Sequence, residues 1–276
     1  MPLSDLQSEI LRLLATHRTP DSFPDSFISG ATPLLRDGPR QSDDIDIFHD
    51  REAAVAAAAE ADAAQLRAAG YTLVWLRREP ALLAAAITRG GATTRLEWLR
   101  DSDFPFFPAV GNDLFGYRLH RADIATNKAR AAASRREPRD VLDLLLIHDR
   151  YLPLGAVIWA AVAKDPDYAP ESLVTEIRRN ARYRDDDYAE LALTVPVDAG
   201  EIARRFRQAL AAAEQAIAAL PPGTEGNLFL RDGIPVQPEP AHPGGLIVRA
   251  GQRGGHWPSS AEIGSAMLDR DPPAPR

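Results

Sequence analysis

The segment Arg40-Gln41-Ser42-Asp43-Asp44-Ile45-Asp46-Ile47-Phe48 closes on a strict polar–apolar alternation, the period-two pattern of a strand with one face buried. Asp44 and Asp46 then project from one face, and Ile45 and Ile47 from the other. Carboxylates a few ångström apart repel, and folding alone gains nothing from that arrangement. A hard divalent cation relieves it, because Mg²⁺ takes one or two carboxylates and completes its shell with phosphate oxygens and water. The strand is therefore expected to be anchored by isoleucines on one side and to carry charge on the other.

Upstream lies Ser29-Gly30-Ala31-Thr32-Pro33. Small residues in a turn let backbone N–H groups and a hydroxyl approach a phosphate, and Pro33 suits the first position of a following helix. Further upstream, Leu6, Ile10, Leu13 and Leu14 recur at helical spacing across residues 5–16. Downstream, Glu52–Ala69 is an alanine-rich helix former followed by Gly70. Tyr71–Arg77 reads as a strand, and Ala81–Thr88 with Thr93–Leu99 flank Arg89-Gly90-Gly91-Ala92 as a hairpin. The first part of the chain is thus α/β.

From Leu119 onward the pattern turns helical: Asp123–Ser134, Arg139–Arg150, Leu154–Ala163, Glu171–Arg182 and Asp198–Leu220, punctuated by prolines. After Pro221-Pro222, proline and glycine make up about a third of the residues, so residues 221–276 are expected to be partly irregular, with one strand pair from Leu228–Leu230 and Leu246–Arg249. The expected organisation is an α/β core over 1–115, a helical region over 116–220 and a Pro/Gly-rich tail over 221–276.

Composition narrows the chemistry. The chain has 276 residues, 45% of them hydrophobic and 26% charged, as befits a soluble protein with a substantial core. Its 39 acids against 32 bases give a net charge of −7, which argues against a general nucleic-acid coat but leaves room for a local basic groove. The absence of cysteine excludes disulfides, thiol nucleophiles and Cys-ligated zinc. The longest apolar run, Leu152–Ala163, is too short to cross a bilayer, and no signal-peptide layout is visible; the expected location is cytoplasmic, with no membrane partner. All but two of the basic residues are arginine; Lys128 and Lys164 are the exceptions, and a lysine in such a chain can mark a place that needs a compact ammonium.

The turn at Gly30 with the Arg40-x-Ser42-x-Asp44-Ile45-Asp46 strand resembles the signature of the nucleotidyltransferase superfamily, specifically the AbiEii/AbiGii toxin family. A second stretch is similar to that family's Lys…Arg-Asp-x-x-Asp-Leu motif: Asn127-Lys128-Ala129 followed by Arg139-Asp140-Val141-Leu142-Asp143-Leu144. The resemblance spans roughly residues 25–150. It implies an α+β fold with a nucleotidyltransferase-type mixed sheet, completed by helices along one side of the cleft. It also implies transfer of a nucleoside monophosphate from an NTP to an acceptor, with Mg²⁺ or Mn²⁺ held by Asp44, Asp46 and, as third acid, Glu97 in Thr94-Arg95-Leu96-Glu97-Trp98-Leu99. Asp101 and Asp103 are rivals for that third place. Nucleotide-binding residues implied are Ser29, Gly30, Ala31, Thr32, Arg40 and Ser42, with Lys128 neutralising the triphosphate and Asp140 assisting the attacking group.

The family's turn carries a second glycine or serine where this chain has Ala31, which is small but has no hydroxyl; Ser29 or Thr32 is then the hydroxyl donor. The implied context is a toxin of a toxin–antitoxin or phage-defence pair, with a cognate antitoxin as partner. A tRNA 3′ end is the favoured acceptor. The alternatives are a protein AMP-transferase and a catalytically inactive homologue that binds nucleotide or a partner. Plainer roles stand beside these: Asp143 can brace its helix against an arginine, Arg40 can pair with an acid, Ser42 can bond the turn backbone, and His49 can be polar surface. The arginines at 178, 179, 182, 184, 204, 205 and 207 form two clusters that read first as solvated faces balanced by acids and second as a track for an RNA backbone.

Overall fold

The structure is a computed structural model and describes residues 3–17, 26–30, 40–42, 44–49, 52–100, 104–112, 114–165, 167–239 and 244–251. These fall into two units, the first within 1–103 and 108–120, the second within 104–107 and 121–253.

The first unit opens with α1 (Asp5–Ala15). Ser4 caps it reciprocally: its Oγ accepts from the Gln7 backbone N–H at 3.1 Å, and Gln7 Oε1 accepts from the Ser4 N–H at 2.9 Å. There follow β1 (Phe27–Ile28), β2 (Asp44–His49), α2 (Glu52–Ala68), β3 (Thr72–Glu79), β4 (Leu82–Arg89), β5 (Ala92–Arg100), β6 (Val110–Asn112) and β7 (Gly116–Arg118). The strands form one sheet in the order β3-β4-β5-β2-β1-β7-β6. β2 runs parallel to β5 and β1 parallel to β7, and the other neighbours are antiparallel. β4 and β5 are joined through Gly90 and Gly91, at φ +59° and +84°; two consecutive positive φ values make the tight hairpin whose twist matches the strands.

One face of this sheet is the core. Ile45 and Ile47 of β2, Leu83, Ala85 and Ile87 of β4, and Leu96 and Trp98 of β5 pack with Leu6, Ile10, Leu11 and Leu14 of α1 and with Val55, Ala58, Ala59 and Leu66 of α2. The alternation read in β2 is therefore the alternation of its burial. Within this layer the Trp98 indole N–H donates to Asp62 Oδ2 at 2.7 Å, so this carboxylate on the buried side of α2 is hydrogen-bonded, as a buried polar group must be.

The second unit comprises α3 (Arg121–Ser134), α4 (Pro138–Arg150), α5 (Leu154–Ala161), a 3₁₀ turn at Val162–Lys164, α6 (Pro170–Asn180), α7 (Asp185–Ala189) and α8 (Ala199–Ala219). Every residue of α5 is buried, as expected of a helix that is apolar all round; α3 and α8 pack against it. Pro138 and Pro170 open their helices, where the missing N–H costs nothing. Strands β8 (Asn227–Arg231), β9 (Ile234–Val236) and β10 (Ile247–Ala250) form a small sheet in the order β10-β8-β9.

Several elements differ from the sequence expectation. The helix expected over Leu154–Ala163 stops at Ala161 and tightens into the 3₁₀ turn. Strands β1, β6, β7 and β9 are two or three residues long, too short to show a period. The helix start expected at Pro33, the rival acids Asp101 and Asp103, and the chain beyond Gly251 lie outside the described residues. No described helix is long and apolar enough to cross a membrane.

Candidate active site

Asp44 and Asp46 lie on the face of β2 opposite its core isoleucines. The parallel register pairs Asp44 with Arg95 and Asp46 with Glu97, so the three acids share one side of the sheet, and Leu96 and Trp98 share the other. Glu97 is buried and the two aspartates are half-buried.

Each acid is held by its surroundings. Ser42 Oγ donates to Asp44, at 3.2 Å from Oδ1 and 3.0 Å from the backbone oxygen. The Ser29 N–H donates to the Asp46 backbone oxygen at 3.2 Å. Gly30 follows at φ +72°, and a Cβ placed on it would sit 2.2 Å from Asp46 Oδ2. Glycine is thus required here twice: for the left-handed backbone conformation, and for the space taken by the carboxylate. Glu97 is ion-paired with Arg95 on its own strand; its Oε1 meets that guanidinium without hydrogen-bond geometry.

Behind the acids stands a residue that sequence reasoning missed. Gln7 Nε2 donates to the Ser42 carbonyl oxygen at 2.8 Å and to Thr94 Oγ1 at 3.1 Å, tying α1 to the segment that enters β2 and to β5. Its signal was the Ser4-x-x-Gln7 capping box, which reveals a helix start but not a long-range tether. Arg95 was also missed, although it stands two residues from Glu97 on the same strand. Arg40 is buried, and its guanidinium donates to the Gln41 carbonyl oxygen at 3.1 Å. Ala31 and Thr32 lie outside the described residues.

Lys128 and Asp140 belong to the second unit, where the structure brings them together with Asp143 and Arg135. Lys128 Nζ lies 2.6 Å from Asp143 Oδ2 and 3.8 Å from Asp140 Oδ1. Arg135 grips Asp140 with two parallel bonds, Nε to Oδ2 at 2.8 Å and Nη2 to Oδ1 at 2.9 Å, the fork geometry that arginine forms best. The bond to Asp140 raises the Arg135 pKa above its ordinary value against the opposing effect of burial. Nearby, burial and then the Asp140 charge push the Tyr183 phenol up to about 12. Asp143, which the plainer reading braced against an arginine, is ion-paired with Lys128.

The other lysine is used similarly: Lys164 Nζ lies 2.9 Å from both Asp123 Oδ1 and Asn127 Oδ1, and Asp123 also accepts the backbone N–H groups of Phe106 and Phe107. The arginine clusters largely face acids: Arg178 pairs with Glu214 at 2.7 Å, Arg204 with Glu201 at 2.6 Å, Arg205 with Asp149, and Arg179 with Glu176.

The structure is similar to MenT4, a nucleotidyltransferase toxin from Mycobacterium tuberculosis, at a TM-score of 0.59 and 20% identity over 79% of this chain and 83% of that one. The fold is that of a nucleotidyltransferase. JHP933 from Helicobacter pylori aligns at a TM-score of 0.47 and 16% identity over 78% of this chain and 95% of that one, a likeness too low to add to the argument. No protein-family model and no curated protein matches the sequence.

The acid face suits a divalent cation in its chemistry, since its donors are carboxylate oxygens and two of them satisfy what Mg²⁺ asks of a protein. Among the described residues, however, no group of three or more acids or histidines stands close enough to enclose an ion. The third acid, Glu97, is engaged by Arg95 instead.

Proposed function

We propose that this chain is a metal-dependent nucleotidyltransferase that moves a nucleoside monophosphate from an NTP to an RNA acceptor, a tRNA 3′ end being favoured, and that it acts as the toxin of a toxin–antitoxin or phage-defence pair of the AbiEii/AbiGii kind. The observation that carries this reading is the register of β2 on β5: it sets Glu97 beside Asp46, with Gly30 pressed against the Asp46 carboxylate. In an ordinary sheet such a cluster is a cost; in a nucleotidyltransferase fold it is the expected seat of Mg²⁺ or Mn²⁺.

Asp44 and Asp46 would hold the cation, with Glu97 joining them once it leaves Arg95. A bound divalent ion supplies neutralisation of the triphosphate and an electrophilic α-phosphorus, with pyrophosphate as leaving group. The protein's own part is positional. Ser42 and Gln7 fix the entry to β2, and the Ser29–Gly30 turn leaves an open approach where any side chain would collide with Asp46. Ser29, Ala31, Thr32 and Arg40 enter as nucleotide-binding residues, Lys128 as the triphosphate's counter-charge and Asp140 as helper of the attacking group, on the family resemblance.

The test is incubation of purified protein with radiolabelled NTP, Mg²⁺ and total tRNA. Label on the RNA that Asp46→Asn abolishes supports the reading. Label that survives Asp46→Asn, or no label on any acceptor, rejects it. A protein acceptor is the second reading, favoured by the pairing of Arg178, Arg179, Arg204 and Arg205 with acids, which leaves those cations less available to a phosphate backbone; it predicts label on a polypeptide. An inactive homologue would bind nucleotide equally with and without Mg²⁺ and label nothing.

A further inference from the structure

Arg95 has no role in the proposed reaction, yet it stands in the middle of the acid face. Its register partner is Asp44, Glu97 is two residues on along the same face, and its guanidinium is ion-paired with Glu97. The Arg95 side chain is 51% exposed and that of Glu97 only 11%. The cation can therefore swing toward solvent, and the carboxylate cannot. Beside them on β4 the register places Ala86 and Ala84, side chains that offer the least obstruction to such a swing. A half-exposed ion pair is worth little, and a divalent ion at the same distance attracts a carboxylate with twice the charge. The pair is thus built to be exchanged.

Resting on the metal-dependent reading above, we propose that Arg95 is an exchangeable counter-cation: it holds Glu97 until a divalent ion takes that carboxylate, and the released guanidinium then binds phosphate oxygens of the nucleotide. This accounts for the pairing of Glu97 with Arg95 on the same face as Asp44 and Asp46. A planar fork of donors suits phosphate as well as it suits carboxylate, so the same side chain can serve both states.

The experiment is a Mn²⁺ titration followed by electron paramagnetic resonance on the full chain, followed by binding of a non-hydrolysable NTP analogue in saturating Mn²⁺. Without nucleotide, Arg95→Gln is expected to bind Mn²⁺ about fivefold more tightly than wild type, the factor that such an ion pair is worth. With Mn²⁺ present, the same variant is expected to bind the analogue about tenfold more weakly, the scale of a lost charge-assisted hydrogen bond. In a Glu97→Gln background, Arg95→Gln should leave Mn²⁺ affinity unchanged. Arg95→Lys, which keeps the charge but not the fork, serves if the glutamine variant does not fold; it should bind Mn²⁺ as wild type does and the analogue more weakly.

Equal or weaker Mn²⁺ binding by Arg95→Gln overturns the proposal. So does a gain that persists without Glu97, because the effect is then through space, and so does unchanged analogue affinity. Mn²⁺ binding that Asp46→Asn abolishes and Arg95→Gln does not alter keeps the metal-dependent reading and removes this inference alone. No Mn²⁺ binding by any variant removes both.

Discussion

Asp46 of β2 and Glu97 of β5 are direct partners across a parallel strand pair, although α2, β3 and β4 separate them in the chain. The adjacency is made by a crossover, so the acid face exists only when β2 has paired with β5. Chemistry and folding of the first unit are therefore expected to be lost together on unfolding, with no active fragment short of β1–β5.

Gly30 meets the Asp46 carboxylate so closely that Gly30→Ala must displace it, since the new Cβ would lie 2.2 Å from Oδ2. The left-handed backbone adds a cost of about 1–2 kcal/mol. Thermal unfolding should show that modest destabilisation, whereas nucleotide transfer should fall at least about a hundredfold, because a small misplacement of a reacting group costs that much. A loss of activity no greater than the loss of folded protein would contradict the assignment of Gly30 to the site.

Gln7 supplies a different kind of test, because its link to the acid face runs through Ser42. Gln7→Leu leaves the Ser42 carbonyl and Thr94 hydroxyl without the donor they share, at a cost of about 1–3 kcal/mol. Urea unfolding should register the loss. Mn²⁺ affinity should weaken as well, since Ser42 loses its anchor and in turn holds Asp44.

Lys128 and Asp143 form a buried ion pair at 2.6 Å. Lys128→Met takes the ammonium from a buried carboxylate and should destabilise the second unit by about 3–5 kcal/mol, whereas Lys128→Met combined with Asp143→Leu should recover much of that. Denaturant midpoints of the two single variants and the double variant measure it. If Lys128→Met is stable but inactive, the lysine serves substrate more than fold.

Tyr183 gives a pH signature. Its folded pKa is raised from 10 to about 12, chiefly by burial. Its contribution to stability is therefore full below pH 10 and is lost as pH rises from 10 toward 12, because the unfolded phenol ionises first. Wild-type melting temperature should decline across that window, and Tyr183→Phe should flatten part of the decline.

What the sequence made legible follows from periodicity. The alternation of Asp44-Ile45-Asp46-Ile47 predicts which side chains share a face, and the structure has them so. The small turn at Gly30 predicts close backbone approach; the structure identifies the approaching group as Asp46. Strand order was not legible, since nothing local in β5 announces β2 as its neighbour. Nor were the partners of Arg95, Gln7 and Lys128, because side-chain pairing between distant segments leaves no periodic trace. The arginines of α6 and α8 read alike in sequence whether they face RNA or glutamate, and only coordinates distinguish Arg178 with Glu214 from a free cation.

The two lysines of this chain carry a practical corollary. Both ammonium groups are sealed against aspartates, with side-chain exposures of 10% for Lys128 and 3% for Lys164. An amine-directed acylating reagent therefore finds Lys164 only when the helical unit opens, and finds Lys128 sooner if a triphosphate can reach it. Acylation at Lys164 would report opening of that unit, turning an ordinary labelling reaction into a clock for its unfolding.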